Sequence, residues 1–264
     1  MTGLDSDLDL IRAAARRAGA LAEAERDRGL RIDRKVGGSP VTSADLAVDA
    51  MLKADLLAAR PDYGWLSEET PDTSDRLSKS RLFVVDPIDG TVAFMKKQPW
   101  WCVPIAIVED GAPIAAVIHV PALNETFEAT LGRGATLNGR TIMASDVDTL
   151  DDAAVLADAR LMEGPHWPEP WPPMRYEKRN ALAYRMALVA SGAFDAAIAL
   201  TPKWDWDVCA GALIAAESGA KVSDHHGRPW RFNQPDPRQA SLVCSAPALH
   251  PLILRRTGPI PLAT

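Results

Sequence analysis

Val84-Val85-Asp86-Pro87-Ile88-Asp89-Gly90-Thr91 is the stretch on which the reading of this chain turns. Phe83, Val84 and Val85 form a short apolar run that predicts a buried strand, and it stops at Pro87, which a central strand cannot carry. Two carboxylates therefore sit where a strand ends. Asp86 and Asp89 flank a turn in which Pro87 fixes one φ and Gly90 frees another, so both side chains can bend toward one point. Oxygen ligands converging in this way suit a hard cation such as Mg²⁺. Gly90 and Thr91 would then offer two backbone N–H groups to a phosphate oxygen if a helix starts there. The plainer alternative, an Asp-rich turn chosen for its geometry, accounts for Asp89-Gly90 but not for the whole hexapeptide.

Working outward, Tyr63-Gly64-Trp65-Leu66-Ser67-Glu68-Glu69 is a second short strand ending in acids. Adjacent acids are usually a solvated loop, yet a strand followed by an acid occurs here twice, and sheet proteins place ligands beyond the carboxyl ends of strands. Upstream, Lys35-Val36-Gly37-Gly38-Ser39-Pro40-Val41-Thr42-Ser43-Ala44-Asp45 reads as a flexible turn leading into a helix with Leu46, Ala50, Ala54 and Leu57 on one side. Thr42 and Asp45 have the spacing of a capping box, so Asp45 has a purely structural reading as a first-turn acid. Downstream, Lys203-Trp204-Asp205-Trp206-Asp207-Val208-Cys209-Ala210-Gly211 opens a helix over residues 208–218, and Asp207 alone would read as its N-cap.

The 264 residues, 47% of them hydrophobic, suffice for a substantial core in one large domain or two intimate layers. A net charge of −6 and pI near 5.4 argue against nucleic-acid or membrane-surface binding. An anionic substrate remains compatible, provided metal ions supply local positive charge. Cys102, Cys209 and Cys244 have no paired spacing and read as reduced thiols in the cytoplasm. No apolar run approaches a membrane span, and the N-terminus, Met1-Thr2-Gly3-Leu4-Asp5-Ser6-Asp7, is acidic where a signal peptide would be basic. The expectation is a soluble, unexported protein.

Periodicity fills in the remainder. Residues 5–28 predict an amphipathic helix, and residues 102–108, 113–120 and 125–130 an antiparallel meander, with Asn138-Gly139 as a hairpin turn. A strand at residues 153–156 is expected to close this half. Residues 163–173, with five prolines and two tryptophans, cannot be regular and read as a surface connection or as a lip over the site. A helix over 180–191 and a strand over 194–200 precede the Lys203 segment, and a last strand at 242–245 is followed by a short helix. His225 and His226 are read as loop residues, since adjacent histidines rarely face one metal.

Asp86-Pro87-Ile88-Asp89-Gly90-Thr91 resembles the signature of the inositol monophosphatase superfamily of Mg²⁺-dependent phosphatases. Three further segments resemble its motifs in the same order, Lys35 with Val41-Thr42-Ser43-Ala44-Asp45, Ser67-Glu68-Glu69, and Trp206-Asp207-Val208-Cys209-Ala210-Gly211. The resemblance implies a five-layered αβαβα sandwich, with an N-terminal α+β half over 1–150 and a C-terminal α/β half over 151–264. It implies Glu68, Asp86, Asp89, the Ile88 carbonyl and Asp207 as ligands of two or three Mg²⁺ ions. It further implies that Asp45 pairs with Thr91 to prepare the attacking water, that Glu69 orients water, and that the Gly90 and Thr91 amides hold phosphate. A small-molecule phosphate monoester is the expected substrate, and homodimers are common in the superfamily. Leu200 stands where inositol phosphatases commonly carry an acid, and Asn180-Ala181 where they favour a Gly-Ser or Gly-Thr turn. Ser39-Pro40-Val41-Thr42, with Asp205 two residues before Asp207, looks more like bacterial 3'(2'),5'-bisphosphate nucleotidases and puts Asp205 on the substrate. The expected substrate is thus a nucleotide 3'-phosphate (3'-phosphoadenosine 5'-phosphate) or an inositol monophosphate, with histidinol phosphate as an alternative. A different class of function, a non-catalytic regulatory scaffold that binds a protein partner, would more naturally have lost one of Asp45, Glu68, Asp86, Asp89, Thr91 and Asp207, all of which are present.

Overall fold

The computed structural model describes residues 3–35, 37–164 and 167–262. Met1 and Thr2 of the acidic N-terminus, Val36 of the Lys35 segment, and Pro165 and His166 of the Pro/Trp-rich stretch lie outside the described residues. Helix α1 (Gly3–Arg28) buries an alanine-rich stripe, Ala14, Ala15, Ala18 and Ala22 around Ile11, which lets the helix lie close against the sheet below. Its Gly19 is a point of contact, where a Cβ would stand 2.5 Å from Pro121 Cγ. After a hairpin of β1 (Ile32–Arg34) and β2 (Pro40–Thr42), α2 (Ser43–Ala59) packs beside α1.

These helices cover one face of a seven-stranded sheet made of β3 (Gly64–Ser67), β4 (Arg81–Val85), β5 (Val103–Glu109), β6 (Ala112–Val120), β7 (Glu125–Thr130), β8 (Ala135–Leu137) and β9 (Arg140–Ile142), ordered as in the chain. The short α3 (Thr91–Met95) interrupts it between β4 and β5. Only β3 and β4 run parallel; every other pair is antiparallel. Strand β4 is apolar throughout because both faces are covered: Phe83 and Val85 join the core beneath α1 and α2, whereas Leu82 and Val84 join the core on the opposite side. Asn138 and Gly139 form the β8–β9 turn, both at positive φ (50° and 76°), as the hairpin reading required.

The second sheet comes from the C-terminal part: β10 (Ala154–Leu156), β11 (Arg175–Glu177), β12 (Ala196–Ala199), β14 (Lys221–Ser223) and β16 (Leu242–Ser245), in the order β11-β10-β12-β16-β14. The short α4 (Ala159–Met162) follows β10, and β13 (Lys203–Trp204) pairs with β15 (Arg238–Gln239) in a separate two-stranded ribbon. Between the sheets lie α5 (Leu182–Ala190) and α6 (Asp205–Glu217), and one apolar core joins them to both sheets. Helix α6 is therefore apolar nearly all round. The outer face of the second sheet is covered by α7 (Leu249–Thr257), which completes an αβαβα order.

Two expectations are corrected, and one open alternative is decided in favour of a surface connection. The strand near residues 153–156 closes no N-terminal half; as β10 it pairs in parallel with β11 and β12 in the second sheet. Nor do the described residues of the Pro/Trp-rich stretch form a lip over the strand-end acids: Trp167 and Trp171 pack edge to face in the outer core, and Arg255 of α7 binds Glu169 at 2.6 Å. In addition, α6 begins at Asp205 rather than Val208, which places Asp207 inside its first turn.

Candidate active site

The parallel β3–β4 pair sets Ser67 opposite Val85, so Glu68 and Asp86 leave the sheet side by side, and the Glu68 N–H donates to the Val85 carbonyl at 3.3 Å. The strand-then-acid pattern seen twice in sequence is one place in space. Beyond β4 the turn is tightly held: the Asp86 carboxylate accepts the Ile88 N–H at 3.0 Å, and the Ile88 carbonyl accepts the Thr91 hydroxyl at 3.2 Å. Asp89 bridges the layers, because its backbone exchanges hydrogen bonds with Cys102 (2.9 and 3.0 Å) while its carboxylate caps α5 by accepting the Leu182 and Ala183 N–H groups at 3.1 and 2.6 Å. Gly90 is at φ +92°, which favours glycine, and a Cβ there would stand tightly, 3.1 Å from Ala181 Cβ and 3.2 Å from the Trp100 carbonyl.

Asp45 fulfils both of its readings at once. One carboxylate oxygen accepts the Thr42 N–H at 2.8 Å and the Thr42 hydroxyl at 2.6 Å, which closes the capping box of α2. The other oxygen faces the Thr91 hydroxyl at 3.4 Å. Lys35 donates to Glu68 and Glu69, each at 2.6 Å. Asp207 accepts the Trp204 N–H at 2.9 Å from within the first turn of α6.

Electrostatics mark these acids as a group under strain. Burial pushes the Asp207 carboxyl up to about 7, reinforced by the charges of Asp89 and Glu68. Asp89 is raised to about 6 and Glu69 to about 7, again chiefly by burial. Asp86 is driven well above the usual carboxylate range by burial and then by Glu68, Asp89 and Asp207. Like charges confined in a dry place call for a cation. The all-oxygen donor set of Glu68, Asp86, Asp89, Asp207 and the Ile88 carbonyl fits Mg²⁺. Among the described residues no three His, Cys, Asp or Glu side chains are gathered closely enough to hold a metal ion, so what the acids contribute is donor chemistry and repulsion that a divalent ion would relieve.

The structure corrects one expected contact. Asp205 is fully buried, and its two oxygens accept the Asn233 N–H (2.9 Å) and the Gln239 side-chain amide (2.8 Å). It ties α6 to the 233–239 segment instead of facing substrate. Sequence reasoning missed Asp49, whose buried carboxylate accepts the Ser67 and Thr70 hydroxyls on either side of Glu68-Glu69. The signal was present: Asp45 and Asp49 are four apart on α2 and so share a face. Next to the acids opens a cleft of about 570 Å³ whose walls include Lys35, Glu68, Glu69, Asp72, Trp204 and Trp206. The two tryptophans are stacked with ring centroids 4.8 Å apart.

The model of the inositol monophosphatase family matches residues 4–260. The chain belongs to that family. Among curated relatives of this family member, a histidinol-phosphatase from Mycobacterium tuberculosis is 32% identical, with 95% of this chain and 97% of the relative covered. An inositol-1-monophosphatase from Caulobacter vibrioides is also 32% identical, over 94% of this chain and 98% of the relative. An inositol monophosphatase structure from Thermotoga maritima superposes with a TM-score of 0.82 at 25% identity, covering 95% of this chain and 96% of that one. The family member is a phosphoric monoester hydrolase with the layered fold of its structural neighbours. No helix of the described residues is long and apolar enough to cross a membrane.

Proposed function

We propose that the protein is a Mg²⁺-dependent phosphatase that hydrolyses a small-molecule phosphate monoester by direct attack of water, without a covalent intermediate. The observation that carries this reading is the Thr91–Asp45 pair standing beside the strand-end acids. Thr91 can turn its proton toward Asp45 and present its oxygen lone pair to a water, which fixes the direction of attack on phosphorus. As the new P–O bond forms and the P–O ester bond breaks, the attacking water gives a proton to the Thr91 oxygen while Thr91 hands its own to Asp45, and the leaving alkoxide takes a proton from solvent. Glu69, raised to about 7, is placed to orient water or exchange protons near neutral pH. The Gly90 and Thr91 amides would hold the phosphate oxygens. Mg²⁺ bound by Glu68, Asp86, Ile88, Asp89 and Asp207 would neutralise the phosphate charge, lower the pKa of water and stabilise the leaving oxygen.

For substrate, a nucleotide 3'-phosphate stands ahead of inositol monophosphate and histidinol phosphate. The support is the Ser39-Pro40-Val41-Thr42 segment and Leu200 in place of an acid, whereas Asp205 no longer contributes. The experiment is phosphate release with and without Mg²⁺ over 3'-phosphoadenosine 5'-phosphate, inositol 1-phosphate, histidinol phosphate and fructose 1,6-bisphosphate. Turnover that needs Mg²⁺ and favours the nucleotide is the expected result. Preference for another member would replace the substrate, and release from none would overturn the reading in favour of a binding scaffold.

A further inference from the structure

Trp204 is 41% exposed in the cleft that it lines together with Trp206, Lys35, Glu68 and Glu69. Its ring lies flat on that of Trp206, with 8° between the planes and 4.8 Å between the centroids, and Trp206 in turn packs against the core between the sheets. The residue between them, Asp205, is the fully buried acid held by Asn233 and Gln239, and its own N–H donates to the Pro237 carbonyl at 2.8 Å. Pairing of β13 with β15 sets Trp204 opposite Arg238, whose guanidinium lies over the Trp204 ring at 5.5 Å. A second buried residue extends the brace to the cleft's acidic segment: Arg76 donates to the Asn233 side-chain oxygen at 2.6 Å, to the Gln234 carbonyl at 3.0 Å and to both oxygens of Asp72 at 2.7 and 2.9 Å. The segment that follows Glu68-Glu69 and the one that carries the tryptophans are thereby fixed to each other, and the aromatic surface is in place before any ligand arrives.

Core packing accounts for Trp206 but not for the exposed ring stacked on it. A large flat aromatic surface in a cleft of about 570 Å³, within the range of small-molecule sites, is suited to another ring, met flat or edge-on. Its place is fixed relative to the acids as well, because the Trp204 N–H holds Asp207 at 2.9 Å while the Trp204 side chain lines the cleft. We infer that Trp204, backed by Trp206, is the subsite for a planar aromatic ring in the alcohol part of the substrate. The class selected is phosphate monoesters of alcohols that carry a nucleobase or another planar heteroaromatic ring, over polyol phosphates, whose puckered rings present no π face. This inference rests on the phosphatase reading above and adds to it the side chain that selects the leaving group.

The test compares two esters that differ only by the ring, adenosine 3'-monophosphate and ribose 3-phosphate, in the Mg²⁺-loaded protein and in Trp204→Leu and Trp204→Phe. The parent should favour the nucleotide in kcat/KM. Trp204→Leu, which stays apolar and loses the π face, should lower that preference by about 5–100-fold, mostly through KM, the equivalent of about 1–3 kcal/mol of base–aromatic stacking. Trp204→Phe should restore most of it. Binding of adenosine, which has the ring and no phosphate, is read by calorimetry in the same buffer and should weaken by the same factor in Trp204→Leu. A parent that does not favour the nucleotide, or a preference and an adenosine affinity that Trp204→Leu leaves unmoved, overturns the subsite, as does an equal loss on both esters, which a purely structural role would give. Absence of hydrolysis of either ester, with adenosine affinity still dependent on Trp204, would instead overturn the phosphatase reading and keep the subsite.

Discussion

Asp45 shows how one residue can carry two readings that seem to compete. Its capping bonds to Thr42 fix the carboxylate so that the remaining oxygen points at Thr91, and the structural role supplies the aim for the chemical one. If Thr91 directs the water, Thr91→Val, which keeps the shape and loses the hydroxyl, should lower kcat by about 10²–10⁴-fold, the range of positioned proton acceptors, while Thr91→Ser retains most activity. Steady-state kinetics on the two variants decides this, and equal loss in both would exclude the hydroxyl. The acids around it also set a pH dependence. Asp89, Asp207 and Glu69 have folded pKa values of about 6, 7 and 7, above the ordinary carboxylate range near 4. Between pH 4 and 7 the folded state therefore binds more of these protons than the unfolded one, and this contribution to stability declines as pH rises through that window. Mg²⁺ must displace those protons, so the rise in Tm on adding Mg²⁺ should be larger at pH 7.5 than at pH 5.5. Thermal melts at both pH values measure it; an equal rise would remove these acids from the metal site.

At the scale of elements, α2 is the part that registers one side of the site against the other. Asp45 reaches Thr91 beyond β4, and one turn later Asp49 grips Ser67 and Thr70 around the Glu68-Glu69 corner beyond β3. Removing such a support commonly costs about 10–100-fold in metal affinity. Asp49→Ala should therefore raise the Mg²⁺ concentration for half-maximal activity by about that factor, with turnover largely recovered at saturating Mg²⁺; Asp49→Asn, which can still accept one hydroxyl, should lie between. A Mg²⁺ titration of activity separates this from loss of fold, which saturating metal would not repair. Legibility in the sequence also divides by element. Strand β4 and the Asn138-Gly139 hairpin were readable because local chemistry fixes them: Pro87 ends the strand, and only residues tolerant of positive φ make the turn. The sheet that β10 joins was not readable, because three buried residues, Ala154, Val155 and Leu156, carry no mark of which neighbours they pair with. Asp205 misled for a related reason: a buried acid that ties a helix start to a neighbouring segment and a substrate-facing acid look alike until Asn233 and Gln239 are seen to occupy its oxygens.

Across the whole molecule the site lies where the N-terminal sheet meets the middle helices, and its two aspartates from one turn bear opposite relations to stability. Asp89 closes the N-terminus of α5 and so fastens the seven-stranded sheet to the layer between the sheets. Among the described residues the Asp86 carboxylate accepts only the local Ile88 N–H, and it stands amid the charges of Glu68, Asp89 and Asp207. Neutralising Asp86 thus removes repulsion while keeping shape, because an asparagine oxygen can still accept the Ile88 N–H. Truncating Asp89 leaves two helix-start amides without an acceptor, a change that costs about 0.5–2 kcal/mol. In Mg²⁺-free buffer Asp86→Asn should therefore be more stable than the parent protein, and Asp89→Ala less stable by about that amount, although both should lose nearly all turnover. Denaturant titrations in a chelator give the two signs directly. Destabilisation by Asp86→Asn equal to that of Asp89→Ala would mean that packing, rather than accumulated negative charge, dominates the centre of the site.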